Sequence, residues 1–318
     1  MQPIPRHWSR VEARVEKPGR GPVPVPLWGW SAVSLADAAA VARDRAAELT
    51  RRGLPGGRSP AEYYPARPVR EEILEELPRD GAQEDRHADD LLAVLTRNRY
   101  GATVLSTDAL LIADVDVPLA ERRRPGLLGR LLGRGKGADG PDPAGDPADP
   151  AGDPAAPPAL LAEADAAARS RIDAVLGASG DLGIHVHRTF GGYRVLVSGS
   201  GLLPEDPAAI ALLEELGSDP LYVRLCRAQR SFRARLSPKP WRVGIRALGG
   251  SWPEGPSDRP APSRRRRQWV ERYSAATTGH AVCRRMSWNG VEPSTAEERR
   301  VLALHDRLTG ADSGLPLA

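Results

Sequence analysis

Between Glu121 and Pro158 the chain has no hydrophobic period, and this stretch constrains the fold more than any other. ERRRPGLLGRLLGRGKG is basic and glycine-rich, and GADGPDPAGDPADPAGDPAAPP repeats Gly-Asp-Pro and Ala-Asp-Pro units. Such a composition buries too little apolar surface to offset the entropy of ordering. It predicts a disordered Gly/Pro/Asp insert over 121–158, within which only Leu127–Leu132 has helical character. The insert separates 28–120 from 159–318, two parts of one domain, and residues 1–27, polar and punctuated by Pro and Gly, read as a flexible N-terminal arm. A chain of 318 residues is long enough to bury a sizeable core.

The flanking sequence mixes helical and strand periods. Helices are expected over 34–52, in a short piece ending YYPARPVREEILEEL, and over 84–96, 159–177, 206–217, 220–229, 268–276 and 295–308. Ser294 with Glu297 fits a capping box for the last of these. Strands are expected at Ala102–Ser106 and Ala109–Val117, and as two hairpins. One hairpin is GIHVHRT, a Phe190-Gly191-Gly192 turn and YRVLVS; the other is SFRARLS, a Pro238-Lys239-Pro240 turn and WRVGIRA. The fold class is α+β, mixed helices and antiparallel hairpins. No Gly-rich nucleotide fingerprint, Walker loop or internal repeat occurs.

No apolar stretch follows the N-terminal charges and no run approaches the roughly 20 residues of a bilayer span. A soluble, cytoplasmic protein without a membrane partner is the expectation. Cys226 and Cys283, the two cysteines, make neither a disulfide framework nor a metal knuckle and are expected to be reduced and buried.

In LLIADVDVP a period of two puts Ile112, Asp114 and Asp116 on one face. Two carboxylates two positions apart on a strand repel each other when buried, and a hard dication such as Mg2+ or Mn2+ removes that repulsion. A strand-closing aspartate beside a solvated one gives the same pattern. In IHVHRTFGGYRVLV, His185, His187 and Thr189 share a face; imidazole can bind phosphate or metal, or simply pack across strands, and Arg188 and Arg194 can bind an anion. No Cys/His spacing supports a complete set of soft ligands, which argues against zinc. From Leu221 to Pro253 eight basic residues occur without an acid: Arg224, Arg227, Arg230, Arg233, Arg235, Lys239, Arg242 and Arg246. Tyr222, Phe232 and Trp241 interleave with them, as in nucleic-acid grooves. A solvated charged hairpin face is the competing explanation.

The order hydrophobic-Asp114-Val-Asp116, then His185-Val-His187-Arg188-Thr189, then Gly191-Gly192-Tyr193-Arg194 resembles the archaeo-eukaryotic primase and primase-polymerase superfamily. The resemblance implies an RRM-like core, metal binding by Asp114 and Asp116, and nucleotidyl transfer. It also implies that His187, or else His185, contacts nucleotide phosphates, and that a third acid completes the metal site, for which Asp219 in GSDPLYVRLC is the candidate and Asp206 the weaker one. Arg188, Arg194, Arg233, Arg235, Lys239 and Arg242 would line the approach. TRNRYGATVLSTDALLIADVDVP and GSDPLYVRLCRAQRSFRARLSPKPWR are also similar to a group of uncharacterised bacterial proteins. Two other functions stay open: a noncatalytic nucleotide- or nucleic-acid-binding module, and a protein-interaction component that uses the insert.

Overall fold

The computed structural model of the chain describes residues 1–17, 21–52, 69–81, 90–117, 158–250, 252–254 and 261–318. The insert expected at 121–158 therefore lies, apart from Pro158, outside the described residues, as does the 84–89 part of the helix expected over 84–96.

Residues 1–27, expected as an arm, carry β1 (His7–Lys17) and most of β2 (Gly21–Ser31), which pair in antiparallel register from His7 opposite Ser31 to Lys17 opposite Gly21. The buried apolar residues of β1 are Trp8, Ala13 and Val15, and Trp8 is out of phase with the other two, so the strand shows no continuous period of two in a mostly polar stretch. Helix α1 (Leu35–Arg52) begins where Ser34 Oγ accepts the Asp37 N–H at 3.1 Å. It packs on the hairpin through Ala38 and Ala42, and a Cβ on Gly29 would lie 2.1 Å from the Ala38 carbonyl oxygen. Glycine is what permits that approach.

Two four-stranded antiparallel sheets build the rest. The first has the order β3-β4-β5-β9, from β3 (Glu72–Pro78), β4 (Leu91–Arg97), β5 (Thr103–Thr107) and β9 (Phe232–Arg235). The second has the order β10-β7-β8-β6, from β6 (Leu111–Asp116), β7 (Gly183–Thr189), β8 (Gly192–Ser198) and β10 (Cys283–Trp288). Among the described residues, the remaining helices are α2 (Pro158–Ala178), α3 (Pro207–Glu215), α4 (Pro220–Gln229), α5 (Arg264–Thr277) and α6 (Ala296–Thr309). A shared core joins Leu92 and Leu105 of the first sheet, Ile112, Val186 and Leu196 of the second, and Ile172, Leu213 and Leu304 of the helices. The architecture is mixed α and β with antiparallel sheets, as the sequence implied. Among the described residues no helix is long and apolar enough to cross a membrane.

Several local expectations are corrected. LLAVLTR at 91–97 and EILEELP at 72–78 were expected in helices and are strands. The first is buried on both sides, so its continuous apolar run carries no period that separates strand from helix, and pairing with it overrides the helix propensity of the second. The second arm of the basic hairpin is not a strand: Pro238 and Pro240 cannot donate to a ladder, and Pro240–Val243 turns into a 3-10 helix with proline at its start. β9 pairs with β5 instead. The helix expected over 268–276 starts earlier: Arg264–Arg267 forms the first turn of α5, capped by Ser263, whose hydroxyl accepts the Arg266 N–H at 3.2 Å. The capping box of α6 sits one residue later than expected, on Thr295 and Glu298, while Ser294 donates its hydroxyl to Glu298. Strand β10 was not foreseen; most of its residues are exposed and give little periodic signal.

Candidate functional site

Antiparallel register across the second sheet places Asp114 opposite Arg194, Arg194 opposite His187 and His187 opposite Arg285. Directly opposed residues share a face, so these four form one row over β6, β8, β7 and β10. β8 separates the aspartate strand from the histidine strand, and two strand spacings of about 4.8 Å put the backbones of Asp114 and His187 roughly 10 Å apart. The interval is filled by Arg194, which is 1% exposed and donates from Nε (3.3 Å) and Nη2 (3.1 Å) to Asp114 Oδ1 and from Nη1 (2.8 Å) to the Arg235 carbonyl oxygen. Burial works against its charge, but Asp114 outweighs this and raises the guanidinium pKa further.

Asp114 thus holds Arg194, and Asp116 and Asp219 gather beside it at the end of β6. The Asp219 N–H donates to the Asp114 carbonyl oxygen at 3.2 Å, and the Asp219 carboxylate caps α4 by accepting the Leu221 N–H at 3.1 Å. The other acid considered, Asp206, accepts from the Leu203 N–H at 2.7 Å and begins α3. Asp116 is exposed at the strand end, yet its carboxyl is pushed up to about 6, first by partial loss of surrounding water and then by the charges of Asp114 and Asp219; Lys239 and Arg235 act in the opposite sense. Asp116 thus lies in the field of Asp114 and Asp219, but among the described residues these three acids do not form a group whose ligand atoms all lie within 4.8 Å of one another.

A glycine turn brings cations to the same edge. A Cβ on Gly192 would lie 2.0 Å from the Val115 carbonyl oxygen, so glycine lets β8 close against β6 beside Asp116. The Val117 N–H is bonded to the Gly191 carbonyl oxygen at 2.8 Å. A Cβ on Gly191 would meet Arg242 Nη2 at 3.7 Å and Asp116 Oδ1 at 4.0 Å, so guanidinium and carboxylate both reach the same point of the turn. The Arg242 guanidinium lies 4.1 Å from the Phe190 ring centroid, and Lys239 Nζ 5.4 Å from that of Trp241, which meets Tyr100 edge-on. Phe190 and Trp241 are both partly open to solvent, at 42% and 37%.

The remaining residues singled out from sequence lie elsewhere. Arg188 is on the opposite face, paired with Asp165 of α2 and 4.6 Å from the Tyr193 ring centroid. Arg233 binds Glu71 at 2.6 Å. His185 stacks on Trp288, and burial pushes its pKa down to about 4. His187 joins His305 and Asp306 of α6: its Nε2 lies 2.9 Å from Asp306 Oδ1, and His305 Nδ1 lies 2.8 Å from the same oxygen. The three residues offer ligand atoms all within 4.8 Å of one another, a cluster able to hold a metal ion. Burial pushes His305 down to about 4; at Asp306 burial opposes ionisation, but His187 and His305 outweigh it and hold the carboxyl well below the ordinary range. Sequence reasoning missed His305 and Asp306. Their one signal is that His305 continues the Val301–Leu304 stripe of α6, a buried position with no apolar side chain. No family model matches the chain, and the comparisons with curated proteins and with solved structures give no match.

Proposed function

We propose that the chain is a divalent-metal-dependent phosphoryl-transfer protein of nucleotidyl-transferase type, acting at the edge where β6 meets the β7–β8 turn. The observation that carries this reading is that Asp116 lies in the field of two further acids, Asp114 and Asp219, and of the cations Lys239 and Arg235, with Arg242 reaching the same glycine turn. Carboxylates for a hard cation next to basic side chains for phosphate oxygens are the two halves that transfer between phosphates requires. Mg2+ or Mn2+ bound to the acids would neutralise charge on the transferred group. Lys239 and Arg242 bind the phosphates, the open Phe190 and Trp241 rings offer stacking surfaces for a base, and Arg194 fixes Asp114. His187 takes no part in this arrangement, because its partners are His305 and Asp306. That departs from the role which the primase resemblance gives it.

One observation favours a second reading, a nucleotide- or nucleic-acid-binding module without catalysis: Arg194 already neutralises Asp114, which lowers the charge left for a cation. Calorimetric titration of Mn2+ and of a nucleoside triphosphate separates the two. Catalytic use of the site requires triphosphate affinity to rise with Mn2+ and to lose that dependence in Asp116→Asn/Asp219→Asn. Triphosphate binding indifferent to both the ion and the acids supports the binding module.

A further inference from the structure

His187 and His305 are each 0% exposed. Among the described residues, neither ring nitrogen of His187, nor Nε2 of His305, has a partner in hydrogen-bond geometry. His187 Nε2 therefore stands 2.9 Å from Asp306 Oδ1 without the alignment of a hydrogen bond. Burying unpaired polar nitrogens is costly. Of these nitrogens His187 Nε2 faces Asp306 Oδ1, as does His305 Nδ1, and a cation shared at that oxygen would take both lone pairs.

We propose that His187, His305 and Asp306 bind a borderline divalent transition ion of the Zn2+ class, as a clip between β7 and α6. Two imidazoles and one carboxylate suit such ions and not Mg2+, which prefers an all-oxygen shell. Tetrahedral zinc ligands about 2.1 Å from the metal lie roughly 3.4 Å apart, so the donors at 2.8 and 2.9 Å need to separate by only about half an ångström. The outer shell is present: Arg285 holds Asp306 Oδ2 at 2.7 Å and is itself held by Asp312 at 2.9 Å, which leaves Oδ1 directed at the histidines. The charge of Arg194 on the adjacent strand opposes any cation here and is offset by Asp114. The rings of His187 and His305 lie 5.1 Å apart, inclined at 74°, and the clip would tie the strand carrying His187 to the C-terminal helix.

The test uses the full chain, stripped with chelator and titrated with Zn2+ against a chromophoric indicator, with the melting temperature read alongside. The expected result is one equivalent of Zn2+ and a rise of about 4 °C in excess ion, with no rise in equal Mg2+. His305→Gln and Asp306→Asn abolish both, while Asp116→Asn/Asp219→Asn keeps both, so the outcome is independent of the acidic edge. Should the histidine variant not fold, Co2+ added to the stripped wild type decides: visible bands typical of nitrogen-ligated cobalt support the site, and their absence overturns it. A wild type that takes up no Zn2+, or a variant that binds it equally well, also overturns it.

Discussion

Arg194 of β8 crosses to Asp114 of β6 and closes an ion pair at 3.1 Å whose cation is almost wholly buried and whose anion keeps about a third of its side-chain surface. The two aspartates of the strand are therefore unequal. Removing the anion strands a buried guanidinium, which costs about 3–5 kcal/mol in comparable pairs. Asp114→Ala is accordingly expected to destabilise the fold by about 3 kcal/mol in chemical unfolding, and Arg194→Met by somewhat less, because Asp114 can turn to water. Equal, small effects for both variants would show that the pair holds nothing.

Asp116 has the opposite sign. Its folded-state pKa, about 6, lies above the ordinary value of 3.8, so its contribution is fully present below that lower value and is lost as pH rises through 6. Asp116→Asn is expected to raise stability at pH 8 and to have a much smaller effect at pH 4.5. Unfolding curves at the two pH values check this, and a variant no more stable than wild type at pH 8 contradicts the influence of Asp114 and Asp219 on Asp116.

His185 gives a pH dependence in the other direction. Buried against Trp288, it has a folded pKa near 4 against an ordinary 6.5, so the unfolded chain binds more protons between those values and stability falls as pH drops through that window. His185→Phe keeps the stacking and removes the titration. It is expected to recover roughly 2 kcal/mol of the loss between pH 7 and pH 5, leaving the share due to His305. An unchanged loss in the variant would rule out His185 as its source.

Tyr222 links the two sheets: its hydroxyl donates to the Ile112 carbonyl oxygen at 2.6 Å and accepts the Arg233 N–H at 3.3 Å. Tyr222→Phe leaves both buried groups short of a partner and is expected to cost about 1–3 kcal/mol. A thermal or denaturant midpoint equal to wild type would show that β6 and β9 do not depend on this bridge.

Short-range chemistry was legible in the sequence. The β7–β8 hairpin follows from alternation around Gly191-Gly192, and α4 follows from Asp219-Pro220, a cap and a first-turn proline. The aspartate strand and the face shared by Asp114 and Asp116 follow from a period of two. What escaped depends on tertiary pairing. LLAVLTR is equally apolar as strand or helix until a neighbour is known, and β1 buries Trp8 out of phase with Ala13 and Val15, so no continuous alternation marks it. At the site, the alternation of His187 says that it faces Asp114's side of the sheet, but not that β8 and Arg194 come between them. Nor does any spacing motif connect His187 with His305 and Asp306, because the topology alone brings α6 to β7.

The most direct test of the proposed function is pyrophosphate release from nucleoside triphosphates, with a primed template present, in Mg2+ and in Mn2+. The account predicts release that requires the dication, is lost in Asp116→Asn and falls at least about tenfold in Lys239→Ala/Arg242→Ala, the order expected when electrostatic contacts to the transferring group are removed. No release from the wild type in either ion, or undiminished release from Asp116→Asn, would contradict it.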